Sequence, residues 1–170
     1  DMDPTKPASV NPERIVEAIT TQGVTQAYGS PALWNRVGHY CVERNIKLPG
    51  LRRILSAGAP VPNHVLQRMS NALDPTADFF TPYGATECLP VASISAREVL
   101  HDTAALTAVG KGTCVGRLFD RMRVRIIETS FDPLPDLANT IDVVDGHIGE
   151  IIVSGPVATR EYFQRPDATA

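Results

Sequence analysis

The sequence predicts an α/β fold, in which a parallel-sheet layer with flanking helices is followed by an antiparallel, β-barrel-like piece. Three observations carry that expectation. Between residues 11 and 81, stretches of helical periodicity alternate with short aliphatic runs. Strands separated by single helices require right-handed crossovers and hence parallel pairing. The run Arg121-Met122-Arg123-Val124-Arg125-Ile126 alternates strictly, as a half-buried strand does. Asp145-Gly146 is a hairpin signal ahead of a returning aliphatic run at 150–153. The change in character places an α/β portion over residues 1–110 and a β-rich portion over 111–170.

Each element has a local reason. Asn11 is an N-cap residue with Pro12 in the first turn, and Ile15, Val16 and Ile19 share a face. Gly23 closes that helix as a left-handed cap, and residues 24–28 form a short strand. Ser30-Pro31 opens a second helix with Leu33, Trp34, Val37 and Cys41 on one face, until Asn45 ends it. Residues 51–56 make a second strand. A third helix over about 63–73 turns Val65, Leu66 and Met69 inward and stops before Pro75, and residues 78–81 supply a third strand. Ser95-Ala96-Arg97-Glu98 is a capping-box pattern opening a short helix. Proline-rich Phe131-Asp132-Pro133-Leu134-Pro135 is a loop between the two strands of the β-rich portion. There is no internal repeat and no low-complexity tract.

Ligands of parallel sheets gather at the carboxyl ends of the strands. Three loops therefore matter most: Gly29-Ser30-Pro31, Ala57-Gly58-Ala59-Pro60 and Tyr83-Gly84-Ala85-Thr86-Glu87.

Composition excludes several classes. A net charge of −3 and a pI near 5.8 provide no basic field for nucleic acid. The longest apolar runs are a few residues, far short of the roughly 20 that span a bilayer, so no transmembrane segment is expected. Cys41, Cys88 and Cys114 have no CxxC spacing and read as three small, buried, reduced side chains, which suits a cytoplasmic location. No basic-then-apolar secretory leader opens the chain. Both ends read as cut, which makes the remainder of a parent chain an expected partner.

Several tempting motifs do not hold. In Gly110-Lys111-Gly112-Thr113, a phosphate loop would need Ser or Thr at position 112 and glycine at 105, where the sequence has Gly112 and Ala105. Gly110, Gly112 and Gly116 miss the dinucleotide fingerprint by one residue and lead into a strand. No Gly-x-Ser-x-Gly elbow occurs, and the four histidines are dispersed.

Three stretches together carry a resemblance. Tyr83-Gly84-Ala85-Thr86-Glu87 matches a Tyr-Gly-x-Thr-Glu motif, and Ser56-Ala57-Gly58-Ala59-Pro60 matches an adenine-contacting loop. Gly149-Glu150-Ile151-Ile152-Val153-Ser154-Gly155-Pro156, with Tyr162 and Arg165-Pro166-Asp167-Ala168-Thr169 after it, is similar to the segment before a ribose-binding aspartate. In this order and spacing they resemble the adenylate-forming superfamily of acyl-CoA synthetases, luciferases and peptide-synthetase adenylation domains. The resemblance covers nearly the whole chain and implies a fragment of a larger adenylating domain.

The resemblance implies ATP or AMP as the nucleotide and Mg²⁺ as its counterion. Attack of a carboxylate on the α-phosphate puts charge on phosphoryl oxygens, so positioning and electrostatics must supply most of the catalysis. Thr86 and Glu87 are the candidate catalytic residues, Thr86 as a donor to the α-phosphate and Glu87 as the metal ligand, a hard oxygen of the kind Mg²⁺ accepts. The nucleotide segment comprises Ala57, Gly58, Ala59 and Pro60 together with Thr81, Pro82, Tyr83, Gly84, Ala85 and Thr86. Tyr83 presents a ring for stacking on the base, and Gly58 and Gly84 let backbone approach the nucleotide. A strand-end core aromatic is the plain alternative for Tyr83, and a solvated carboxylate for Glu87. Residues 149–156 read as a strand and turn rather than a ligand contact.

Two positions depart from the family pattern: Leu118 stands where proline is common, and Glu161 where glycine is usual. The Ser/Thr/Gly-rich phosphate loop, ribose-binding aspartate, hinge and distal catalytic lysine of the family are not in these 170 residues. Cys88-Leu89-Pro90-Val91-Ala92-Ser93-Ile94 with Gly112-Thr113-Cys114-Val115-Gly116 looks most like olefin β-lactone synthetases, which close an activated long-chain 2-alkyl-3-hydroxy fatty acid to a four-membered lactone. By family position the acyl chain meets Gly29, Ser30, Pro31 and Leu89, for which loop and core packing is the plain alternative. A fatty acyl-CoA synthetase or acyl-AMP ligase is the neighbouring reading. A non-catalytic nucleotide-binding or interaction module is the reading from another class, since fold does not dictate function.

Overall fold

The computed structural model describes residue 3, residues 5–132, residue 134 and residues 136–168. Pro133 and Pro135 of the proline-rich loop and Thr169 of the tail motif lie outside the described residues.

Helix α1 (Pro12–Thr21) starts where the Asn11 carboxamide accepts the Glu13 N–H at 3.0 Å. It ends where Gly23, at φ +61°, lets the Val24 N–H reach back to the Ile19 carbonyl at 3.0 Å. Strand β1 (Gln26–Gly29) runs into α2 (Pro31–Arg44), whose cap is the Ser30 hydroxyl accepting from the Leu33 N–H. Asn45 closes α2 in the left-handed conformation, so that the Ile46 N–H bonds the Cys41 carbonyl. Strand β2 (Arg53–Ser56), helix α3 (Asn63–Ala72) and strand β3 (Asp78–Ala85) follow.

Strands β1, β2 and β3 pair in parallel, with Gly29 beside Ser56 and Ile54 beside Phe79. The expected third strand was 78–81. It continues to Ala85, turns through Thr86-Glu87 and returns as β4 (Cys88–Ser95), so Tyr83, Gly84 and Ala85 are strand residues rather than loop. The sheet is thus mixed, in the order β1-β2-β3-β4-β5, with β5 the short Arg117–Leu118. Gly84 makes the tight return possible: a Cβ there would run into the Cys88 carbonyl oxygen and the Leu89 side chain.

The capping box forms as expected, with the Ser95 hydroxyl accepting the Glu98 N–H at 3.2 Å and the Glu98 carboxylate accepting the Ser95 N–H at 3.1 Å. It opens α4 (Ala96–Glu98), which continues through one π-helical segment (Val99–Thr103) into α5 (Ala104–Ala108).

The chain falls into two compact units, one of residues up to 83 with 92–117, the other of 84–91 with those from 118 onward. The first owns the main core. Trp34 and Val37 of α2, Val65, Leu66 and Met69 of α3, Ile54 and Phe79 are all buried, and Trp34 meets Phe79 edge to face at 6.2 Å. In the second unit β6 (Arg123–Ile127) and β7 (Glu150–Ser154) form a two-stranded antiparallel sheet, with Val124 opposite Val153. Its buried apolar side chains are Cys88, Val91, Met122 and Ile127, while Phe131, Ile148 and Phe163 are almost fully exposed.

Two further expectations are corrected. Asp145-Gly146 does not join two paired strands directly, because Ile127 at the end of β6 bridges both Asp142 and Glu150, and the turn links those two segments. Cys114 is exposed, whereas Cys41 and Cys88 are buried, because it follows the glycine turn at 110–112 rather than a packed element. Among the described residues no helix is long and apolar enough to cross a membrane.

Candidate nucleotide site

The carboxyl ends of β1 and β2 build one part of the site. Gly29 and Ser56 are register partners, so the loops that leave them start side by side. They open a cleft of about 460 Å³ whose lining includes Ser30, Pro31, Ala57, Gly58, Ala59 and Pro60. Ser30 and Pro31, expected toward the acyl group, and the loop expected toward the adenine thus line one cavity, whereas Gly29 and Leu89 do not line it. Gly58 holds φ +92° with no atom within 4 Å of a would-be Cβ, so its backbone stands open to the cleft. Gly29 is buried, and the space a Cβ would need lies 3.0 Å from the Trp34 indole nitrogen. Asn35 and His64 also line the cleft, and the sequence reading missed both. His64 stands in the first turn of α3, directly beyond the Ala57–Pro60 loop, and that adjacency was the available signal.

Strand β3 carries the next residues. The Thr81 hydroxyl donates to the Ile94 carbonyl at 3.4 Å, and Pro82 and Tyr83 are half-buried.

The second unit holds the acidic end of the motif. Gly84, Ala85, Thr86 and Glu87 are exposed, and Thr86-Glu87 is the turn between β3 and β4. Leu89 is exposed and lies over Gly84. The segment after β7 returns to this turn. Ala158 bridges Cys88, the Thr159 N–H donates to the Glu87 carbonyl at 2.7 Å, and the Tyr162 hydroxyl donates to Glu87 Oε1 at 2.6 Å. That last bond, helped by the backbone amide of Glu87, holds the carboxyl below the usual carboxylate range, and the same bond pushes the Tyr162 phenol up.

Among the described residues no three His, Cys, Asp or Glu side chains gather as an all-protein metal cage. Mg²⁺ needs none. It keeps several waters and is commonly held by one or two carboxylates plus substrate phosphates. A single exposed carboxylate fits that requirement, with lone pairs left after one hydroxyl is bound.

The Gly-Ala-Pro loop after β2 and the Tyr-Gly-Ala-Thr-Glu stretch at the β3–β4 return are thus the two candidate segments. Residues 2–163 match the model of the AMP-binding enzyme family, and the chain belongs to that family. Over all 170 residues it is 48% identical to the olefin beta-lactone synthetase of Stenotrophomonas maltophilia (strain K279a), covering 30% of that protein. Over 169 residues it is 44% identical to the olefin beta-lactone synthetase of Xanthomonas campestris pv. campestris, again covering 30% of it. A feruloyl-CoA synthase of Amycolatopsis sp is 30% identical over 96% of this chain and 29% of its own length. Among solved structures, VinN superposes with a TM-score of 0.70 at 22% identity, over 92% of this chain and 35% of that one. The o-succinylbenzoate coenzyme A synthetase of Bacillus subtilis in complex with AMP gives 0.67 at 18% identity, over 94% and 28%. These two show the fold. The chain spans about 30% of the length of the curated relatives it matches.

Proposed function

We propose that the protein to which this chain belongs is an olefin β-lactone synthetase, an ATP-dependent enzyme that activates a long-chain 2-alkyl-3-hydroxy fatty acid. The observation that carries this is the 48% and 44% identity, over essentially the whole chain, to two proteins of that name. Residues 1–110 then belong to the α/β portion of the parent's AMP-binding domain and 111–170 to its β-rich portion. Three free cysteines support a reducing compartment, the cytoplasm.

The chemistry has two steps. A carboxylate oxygen of the acid attacks the α-phosphorus of ATP, the bond to the β-phosphate breaks, and pyrophosphate leaves with the acyl-AMP formed. The 3-hydroxyl oxygen of the same acid then attacks the acyl carbonyl carbon, its proton passes to water, and AMP departs as the four-membered ring closes. The hydroxyl is held on the chain it attacks, so its effective concentration is very high and no second substrate need be recruited. On this reading Ala57–Pro60 and Tyr83 hold the base, Thr86 donates to the α-phosphate, and Gly29, Ser30, Pro31 and Leu89 face the acyl chain. Glu87 would hold Mg²⁺, which when bound neutralises charge on the phosphates.

The 30% identity to a feruloyl-CoA synthase favours a second reading, an acyl-CoA synthetase in which coenzyme A takes the place of the internal hydroxyl. The full-length parent is incubated with ATP, Mg²⁺ and a 2-alkyl-3-hydroxy acid, with and without coenzyme A, and the products are identified by mass and NMR. Lactone and AMP in both tubes are expected. A thioester that forms only with coenzyme A, and no lactone in either tube, would establish the second reading.

A further inference from the structure

The turn that carries Glu87 has little to hold it. Thr86 and Glu87 are both exposed, and a free glutamate side chain must give up rotamer entropy before it can serve as a fixed ligand. Two bonds from one distant segment act on this residue. The Thr159 N–H donates to the Glu87 carbonyl at 2.7 Å and pins where the turn lies. The Tyr162 hydroxyl donates to Oε1 at 2.6 Å, in the range of a charge-assisted O–H···O⁻ bond, and governs which way the carboxylate faces. The Ala158–Cys88 bridge anchors the same segment to buried strand backbone.

We propose that Tyr162 is a positioning residue for Glu87, and that residues 158–162 are the strap that presents this carboxylate to the nucleotide-bound cation. The proposal rests on the reading of Glu87 as the metal ligand. The Tyr162 hydroxyl donates to the carboxylate, so its proposed effect passes through Glu87. Both side chains of this bond are exposed. Oε1 is engaged from one side, and the remaining lone pairs of the carboxylate serve the cation. Metal-ligating carboxylates are commonly oriented by such a second hydrogen bond, and its loss weakens metal affinity or activity roughly 10- to 100-fold.

The test uses the full-length parent in four forms: wild type, Tyr162→Phe, Glu87→Gln and the double variant. Mn²⁺ is the probe, and its affinity for the enzyme–ATP complex is read by electron paramagnetic resonance, with the melting temperature taken alongside. Tyr162→Phe removes only the hydroxyl. It is expected to weaken Mn²⁺ binding roughly 10-fold or more, leave the melting temperature unchanged, and add nothing in the Glu87→Gln background. Weaker binding in Glu87→Gln with no change in Tyr162→Phe would overturn the positioning role and leave the metal reading intact. Unchanged binding in both would overturn the metal reading and the strap with it. Additive losses in the double variant, or a fall in melting temperature for Tyr162→Phe, would make Tyr162 structural.

Discussion

At the scale of single residues, Glu87 is the position proposed to hold the cation. It is exposed and sits in a two-residue turn. Glu87→Ala in the parent should therefore lower kcat and kcat/KM together by about 100-fold or more, the scale of losing a preorganised electrostatic group in the transition state. The melting temperature should hold. A variant that kept its turnover and melted much earlier would show the carboxylate to be structural. Gly58 offers the opposite case. Its φ of +92° is a conformation L side chains rarely adopt, yet the space around it is open. Gly58→Ala should cost about 1–2 kcal/mol of stability through backbone strain alone, and denaturant titration of the parent would measure it.

At the scale of elements, the capping box and the β3–β4 return are two local devices, each turning on one small residue. Ser95 is buried and satisfied by Glu98, so Ser95→Ala should destabilise the parent by about 1 kcal/mol. The backbone and side-chain hydrogen bonds from Ser95 hold the Glu98 carboxyl below its ordinary range. A depressed carboxylate stabilises the fold above its unfolded pKa and loses that contribution as pH falls through the folded one. The Ser95→Ala deficit should accordingly be full at neutral pH and shrink in acid, which stability curves at several pH values would reveal. Gly84 answers to the hairpin more than to any ligand. Ala there would press on the Cys88 carbonyl, a backbone atom, and should cost about 1–3 kcal/mol as the turn shifts. If Gly84→Ala left stability intact and weakened only nucleotide binding, the glycine would belong to the ligand after all.

At the scale of the whole molecule, most of the burial lies in one unit. Trp34 is the sole tryptophan in the chain, is 1% exposed, and meets Phe79 edge to face. Its emission should be blue-shifted in the folded chain and move to the red in one step as that core melts. The second unit buries few large side chains and leaves Phe131, Ile148 and Phe163 exposed, and the chain spans 30% of the relatives' length. The fragment by itself should show no ATP–pyrophosphate exchange, while the parent should. Exchange by the purified 170 residues would reveal a phosphate-binding group unrecognised among them.

Local patterns settled whatever depends on neighbours in the chain. The caps at Asn11, Ser30 and Ser95, the left-handed ends at Gly23 and Asn45, and the inward faces of α1, α2 and α3 were legible because each is decided within a turn or two of backbone. The Tyr-Gly-Ala-Thr-Glu stretch was read as a loop; Thr86 and Glu87 do turn, but Tyr83, Gly84 and Ala85 are strand. Its strand character depends on pairing with β4, and the missing Cβ at Gly84 acquires its meaning only when Cys88 folds back beside it. The Tyr162–Glu87 bond lay beyond any local pattern, since 75 residues separate its ends. Periodicity and capping are short-range and are written in the chain. Which carboxylate is held, and by what, is decided by where distant segments come to rest.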